Sequence, residues 1–379
     1  MKKILLPLFV IFLASCAGGS SNGGGGNGGG GGGGGGNRPG GGSDGGSYPT
    51  FPTEPLEYDN VLDLFSSGQQ VGDVLVSLGI GGRTITITDN NTITFTTNNP
   101  SPSDELFFNT SRELDISRFN KLLGPGNTGF YIGSNSHEIT GLTQTSWLAN
   151  IWLENGSLVT PRFDLTGKTA VIEDTLILGG KALGLQHTEF GIWNMSRRIE
   201  GHLVSTTTNY NQNGYFDNDT RVFTLSSSPK TAFAQGMTGM ATFKGAAVAV
   251  ASNGLQGSDA LKTQTVYGFA TLTLDTSKTG YNIPANILVL DFPDFYKFTI
   301  EQVTNLNTGQ VGDGYINSVE NNGNKTGINF DGAPLGSWYV NMSGGLYGVS
   351  GNPSEVSGTF YISRSDIRAF ITGAFGAKR

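Results

Sequence analysis

The last third of the chain is a succession of short runs in which apolar and polar residues alternate, and this alternation constrains the fold more than any other feature. Eight such runs occur, at 239–251, 265–275, 286–292, 295–303, 314–319, 338–349, 355–363 and 367–375, separated by Gly, Asn, Asp and Pro clusters. A period of two in segments rich in Val, Ile, Thr, Tyr and Phe is the pattern of a β-strand, and the clusters between are turns. An even set of hairpin-linked strands can close on itself and remove its unpaired edges. Eight strands enclose an interior just wide enough for side chains to fill. In the second run Val266, Ala270, Leu272 and Leu274 share one face, while Tyr267, Phe269, Thr271 and Thr273 share the other. The first face suits a packed interior; the second can meet water or a partner. The expectation is an all-β chain ending in a closed antiparallel eight-stranded barrel over 236–379. Outward positions such as Lys297 and Glu301, and a terminus of Ala377, Lys378 and Arg379, argue against a membrane-spanning barrel.

Residues 48–235 read as a second, β-rich unit. Pro49, Pro52 and Pro55 keep its entry extended. Tyr58, Val61, Leu62, Leu64 and Phe65 are spaced for a short helix over 57–67, and 111–123 alternates too poorly for a strand and reads as a second helix. Strict alternation at 83–88 and 92–95 around Asp89, Asn90 and Asn91 predicts a hairpin. Further strands are expected at 129–133, 145–154, 156–165, 170–178, 185–193, 203–208 and 222–227, the last two flanking an Asn-rich loop at 209–220.

The beginning of the chain predicts display at a membrane surface. Lys2 and Lys3 form a charged n-region and residues 4–13 an apolar h-region too short to span a bilayer, so 1–15 reads as a signal peptide. Leu13, Ala14, Ser15 and Cys16 are similar to a bacterial lipobox, in which the thiol at the cleavage point takes a diacylglycerol. Cys16 is the only cysteine, so it is the expected lipidation site and the fold has no disulfide. Several acyl chains on one cysteine, at roughly 0.8 kcal/mol per buried CH₂, anchor firmly. Ala17 after the cysteine favours the outer membrane. Residues 18–47 are mostly Gly with few side chains, so no core can form and the expectation for 16–47 is a lipidated, disordered tether. As a random coil its ends lie on the order of 30 Å apart.

Composition and motifs exclude several function classes. The net charge is −7 without long runs of one sign, so nothing points to nucleic acid. Gly167, Lys168 and Thr169 resemble the end of a phosphate loop, but Arg162 stands where that loop needs its first Gly. Asn209, Asn211, Asn213 and Gly214 imitate the front of a calcium loop, yet the twelfth position is Thr220 rather than Glu. His137, His187 and His202 lack the spacing of a zinc site; any one of them, like a Tyr or Met, has the chemistry of an axial haem ligand. The sole match to a nucleophile elbow, Gly41 to Gly45 around Ser43, lies in the Gly tract. The carboxylates Glu173 and Asp174, or Asp291 and Asp294, fall where turns are expected to solvate them. No enzyme activity, cofactor or metal is expected. Among the aromatic residues, Tyr281, Tyr315, Trp338 and Tyr347 lie near turns where they can anchor a protein partner.

Several barrel segments resemble one protein superfamily. Gly239-Met-Ala-Thr-Phe-Lys-Gly-Ala-Ala247 resembles the first barrel strand of the transferrin-binding protein B and factor H binding protein superfamily, and Leu288-Val-Leu-Asp-Phe292 its middle strand. Gly345-Leu-Tyr-Gly348, Pro353-Ser-Glu-Val-Ser-Gly-Thr-Phe360 and Ile371-Thr-Gly-Ala-Phe-Gly376 are similar to its closing strands, and Thr188-Glu-Phe-Gly-Ile-Trp193 to the segment before the barrel. The resemblance implies that 48–235 is the handle domain of such proteins. It also implies a Gram-negative outer-membrane lipoprotein, carried to the outside by the Slam surface-export translocon, that grips a host serum protein. Transferrin binders usually carry two handle–barrel lobes and this sequence has room for one, which favours a complement component or regulator. Iron acquisition through transferrin-like carriers or haem is the alternative.

Overall fold

The computed structural model describes residues 56–57, 73–76, 83–87, 92–97, 111–115, 119, 121–122, 130–141, 147–148, 151–152, 158–159, 162–164, 166–167, 169–199, 202–205, 215–252, 263–277, 286–305, 307–332, 338–364 and 369–379. Cys16, the Gly tract, Tyr281, Asn209 to Gly214 and nearly all of the helix expected at 57–67 lie outside them. In chain order the strands are β1 (Leu56–Glu57), β2 (Asp73–Val76), β3 (Arg83–Ile87), β4 (Thr92–Thr97), β5 (Ser111–Asp115), β6 (Lys121–Leu122), β7 (Tyr131–Ile139), β8 (Trp147–Leu148), β9 (Ile151–Trp152), β10 (Leu158–Val159), β11 (Arg162–Asp164) and β12 (Ala170–Leu178). After the four-residue helix α1 (Gly180–Leu183) come β13 (Thr188–Ile199), β14 (His202–Ser205), β15 (Tyr215–Ser226), β16 (Met240–Ser252), β17 (Thr263–Asp275), β18 (Ile287–Asp291) and β19 (Tyr296–Asn305). The last strands are β20 (Gln310–Asn321), β21 (Trp338–Val349), β22 (Asn352–Arg364) and β23 (Phe370–Lys378).

Strands β16 to β23 form a closed antiparallel barrel in sequence order, β23 returning to pair with β16. Each of the eight alternating runs is one of its strands. Val266, Ala270, Leu272 and Leu274 face inward as their period requires, and join Phe243, Leu288, Leu290, Phe298, Ile300, Phe360 and Phe375 in one core. Burying each large side chain stabilises the fold by about 1.5–3 kcal/mol. Both mouths are closed by chain. At one, Phe233 of the segment leading into β16 joins the core and bridges to Gly351, with Thr231 N donating to Leu346 O at 2.8 Å. At the other, the segment after β20 lays Ile328 and Phe330 into the core, with Phe330 N donating to the Tyr296 hydroxyl at 3.0 Å and Trp338 stacked on Phe330. An apolar, filled interior is the reverse of the polar lumen of a membrane-spanning barrel.

Upstream, β2, β15, β13, β12 and β7 form a five-stranded antiparallel sheet in that order, accompanied by the smaller sheets β3-β4-β5, β14-β11-β8, β1-β6 and β9-β10. Three expectations need correction. Within 111–123, where a helix was expected, residues 111–115 and 121–122 are strand: Leu114 on β5 pairs with Ile93 and both are buried, so packing on the hairpin overrides a poor alternation, and β6 pairs with β1. The loop expected at 209–220 is strand from Tyr215 onward, since β15 pairs with β13 along its whole length. The strand expected from 185 begins only at Thr188, after α1, which ends at Gly184 with φ +67°, a conformation that favours glycine.

Candidate binding surface

The barrel wall has two outer faces of different composition, and the sheet in front of it explains the difference. Strands β13, β15 and β2 lie against β22 and β23, with β13 also reaching β16. There the outward residues are small. Ala246, Val248, Val250 and Ala374 pack against Phe130, Ile177, Leu183, Leu185, Phe190, Ile192 and Val222. Tyr267, from the outward face of β17, closes this layer with its ring 5.5 Å from that of Phe130. The partner of that face, along this part of the wall, is therefore the chain's own upstream sheet.

Carboxylates fasten the junction. Glu355 on β22 is buried and accepts from Gln186 N at 2.5 Å, His187 N at 3.0 Å and Thr188 Oγ1 at 3.2 Å. Lys378 Nζ donates to Leu183 O, a carbonyl at the end of α1, at 2.6 Å. Glu189, itself buried, accepts from the amides of Gly180, Lys181 and Phe190, supplying the first turn of α1 with an acceptor that Gly179 cannot offer. Burial pushes Glu189 up from 4.5 to about 7, against the lowering effect of those amides.

Away from the junction the outer wall carries large side chains in a belt. Ile287, Glu301 and Tyr315 are successive cross-strand partners on β18, β19 and β20. All three point outward, with Ile287 37% and Tyr315 77% exposed. Beyond β20 the belt resumes with Tyr339, 55% exposed, then Tyr361 and Phe370 on β21, β22 and β23. Their rings lie 6.2 Å and 5.9 Å apart in that order. Tyrosines held rigidly on strands offer large contact area at little entropic cost, which suits a protein partner.

A seam interrupts this belt. Among the described residues β20 and β21 pair only at Gln310 with Gly345 and Val311 with Gly344, although β20 runs on to Asn321 and β21 begins at Trp338. The Asp313 carboxylate accepts from Met342 N at 2.8 Å where a main-chain carbonyl would otherwise serve. Asp291, Glu301, Asp313 and Glu320 line the outer wall of β18, β19 and β20 beside Lys297, whose Nζ is 3.4 Å from Glu320. The local field is negative.

The residues singled out in the sequence are scattered by the fold. Tyr315 belongs to the belt. Trp338 is half-buried against Phe330, and Tyr347 is buried opposite Glu355, so neither is an exposed anchor. His137 sits 3.8 Å from Asp174, His187 lends its backbone to Glu355, and His202 pairs with Asp164; no bond joins any two of them among the described residues. Asp174 is not a solvated turn residue. It is buried on β12 and accepts from Trp193 Nε1 at 3.2 Å. Asp291 accepts from Asn322 Nδ2, while Asp294 takes φ 61° and pairs with Lys325 at 2.7 Å. Among the described residues no group of three His, Cys, Asp or Glu is arranged to hold a metal. Tyr339, Tyr361 and Phe370 were legible only as alternation; what makes them a belt is their register across three strands.

No family model and no curated protein matches the chain. Among solved structures it is similar to a mutant of the vaccine antigen transferrin-binding protein B of Haemophilus parasuis Hp5, with 12% identity over 78% of this chain and a TM-score of 0.31. The match takes in 53% of that protein, so the chain spans about half its length. It is also similar to a protein of unknown function from the DUF3598 family of Nostoc punctiforme, with 10% identity over 67% of this chain and 97% of that one, at a TM-score of 0.18. Neither likeness, at such scores, carries an argument about function.

Proposed function

We propose that the protein is a lipid-anchored outer-membrane surface protein that captures a host protein, in the first place a complement component or regulator, in the service of immune evasion. The observation that carries the reading is the belt of outward tyrosines, Tyr315 and Tyr339 foremost, on the part of the barrel wall that the upstream sheet leaves uncovered. Strands hold these side chains in fixed positions, and a flat wall suits a protein better than a small molecule, which needs a concave pocket. The similarity of residues 13–16 to a lipobox and the Gly-rich 18–47 add the means of display, a lipid at Cys16 and a spacer. Export to the outside and the choice of a complement protein come from the sequence resemblance to the transferrin-binding protein B and factor H binding protein superfamily.

The test is to immobilise the full-length protein, pass sera from several mammalian hosts over it and identify what is retained. A complement protein supports the proposal. Retention of transferrin, or a Soret band after haem titration, moves the assignment to iron acquisition, and a protein that retains nothing removes host-protein capture.

A further inference from the structure

We infer that the barrel holds a small neutral ligand inside the mouth that Phe233 plugs, in a polar niche formed by Asn286, Thr304 and Thr276 on its inner wall. The ligand is water, or a small hydroxyl- or amide-bearing molecule that, like water, both donates and accepts a hydrogen bond. The niche does not depend on capture of a host protein.

Register places the three side chains together. Thr304 pairs with Val311, a core residue, so it faces inward. Asn286 immediately precedes β18 and keeps the inward period of Leu288 and Leu290. Thr273 pairs with Ile287, and Ile287 with Glu301. Continuing that register by one row sets Asn286 between Thr276, just past β17, and Thr304 on β19, each a diagonal neighbour on the same face. Asn286 is 1% and Thr304 3% exposed, so bulk water does not reach them. Thr276 is also buried, and its Oγ1 donates to Gly239 O at 2.8 Å, on the segment that enters β16. Neither Oδ1 nor Nδ2 of Asn286, nor Oγ1 of Thr304, meets a hydrogen-bonding group of the protein. Native proteins satisfy such buried groups with an ordered water or a ligand.

The surroundings define the occupant. The plugging chain closes the niche from outside. Phe233 sits in the core, and Thr231 O lies so near Gly309, on the turn after β19, that a Cβ there would stand 2.4 Å away. Leu274, Leu288, Val311 and Ala241 make the neighbouring wall apolar. Among the described residues no charged side chain joins the inner wall at this mouth, so an ion would be buried without a counter-charge. The occupant is therefore neutral, offering an acceptor to Nδ2 and a donor to Oδ1. The mouth of a β-barrel is a common place for such a ligand.

The experiment compares the full-length protein with Asn286→Leu, which removes the amide at similar volume, and with Thr304→Val, which removes only the hydroxyl. Oxygen-17 relaxation dispersion counts long-lived internal waters, and mass spectrometry identifies small molecules released when each protein is denatured. The expected result is a long-lived water, or a released molecule, present in the unaltered protein and lost in Asn286→Leu. Thr304→Val should shorten its residence severalfold. Water that disappears identifies water as the occupant, and a released molecule that disappears identifies that molecule. The urea midpoint of Asn286→Leu should not fall, because an apolar group replaces an unmet amide in apolar surroundings. Equal water counts in all three proteins with nothing released overturns the niche. So does a lowered midpoint in Asn286→Leu with the water count unchanged, which would mean that the amide bonds to protein.

Discussion

Gly376 on the last barrel strand lies flat against Phe190 of the upstream sheet, so closely that a Cβ at Gly376 would stand 2.4 Å from the Phe190 ring. Phe190 is fully buried and packed edge-on to Phe130, with centroids 6.0 Å apart, so the ring has little room to retreat. The junction of sheet and barrel is therefore set by the absence of one methyl group. Gly376→Ala is expected to lower stability by about 1–3 kcal/mol, the usual cost of forcing an atom into a packed core, read as a fall in the urea midpoint. An unchanged midpoint would mean that the two layers are not in this register.

Glu355 makes a second, polar demand on the same junction. Replacing it with Ala leaves the amides of Gln186 and His187 without their acceptor in a part-buried place. A loss of about 2–4 kcal/mol is expected, with faster hydrogen exchange concentrated at 186–188. Exchange that accelerates uniformly over the barrel instead would show that Glu355 acts on the whole fold.

Glu189 predicts a pH dependence with a definite sign. Its pKa is about 7 in the folded protein against an ordinary 4.5, so between these values the folded state binds more protons than the unfolded one. Stability from this group is therefore greatest below about pH 4.5 and declines as pH rises to about 7, by roughly 3 kcal/mol at most. Glu189→Gln should flatten the slope of unfolding free energy in that window. A slope that persists in the variant assigns it to other groups.

One hydroxyl gives the lid over the second barrel mouth two of its bonds. Tyr296 Oη accepts from Phe330 N and donates to Asn329 Oδ1 at 3.1 Å. Tyr296→Phe keeps the ring contacts and removes both bonds. It should cost about 1–2 kcal/mol and raise the mobility of 324–331 while the barrel strands keep their protection. Equal loss of protection in β16 to β23 would contradict a lid that opens by itself.

The barrel was legible because its inward residues keep an apolar period of two, as in Val266, Ala270, Leu272 and Leu274. The upstream sheet was read less well because tertiary pairing decides it. Leu114 becomes strand through Ile93, and Tyr215 to Thr220 become strand through β13; neither neighbour is near in sequence. The outward face of β17 reads as one that can meet water or a partner, and the structure places Phe130 of the same chain against its Tyr267. Tyr315 stands near a turn and is exposed, but Trp338 and Tyr347 meet the same criterion and are half-buried and buried, because exposure depends on what the 322–332 segment and the junction lay over them. The seam left no trace in the alternation, since β20 and β21 each read as ordinary strands and only the register between them shows where pairing stops.

In the proposed function, surface display rests on a lipid at Cys16. Cys16→Ser is expected to release the protein from the outer membrane and raise its mobility on a gel by the loss of the lipid. A variant that stays membrane-bound with unchanged mobility rules out lipid attachment at this residue.

The most direct measurement of the central claim compares the full-length protein with its Tyr315→Ala, Tyr339→Ala double variant as immobilised bait for host serum. Both side chains are largely exposed, so the variant should melt at nearly the same temperature. The account predicts that the unaltered protein retains a specific host protein and that the variant loses about nine-tenths or more of it, the behaviour of aromatic anchors at an interface. Equal retention by the two proteins, or retention by neither, contradicts it.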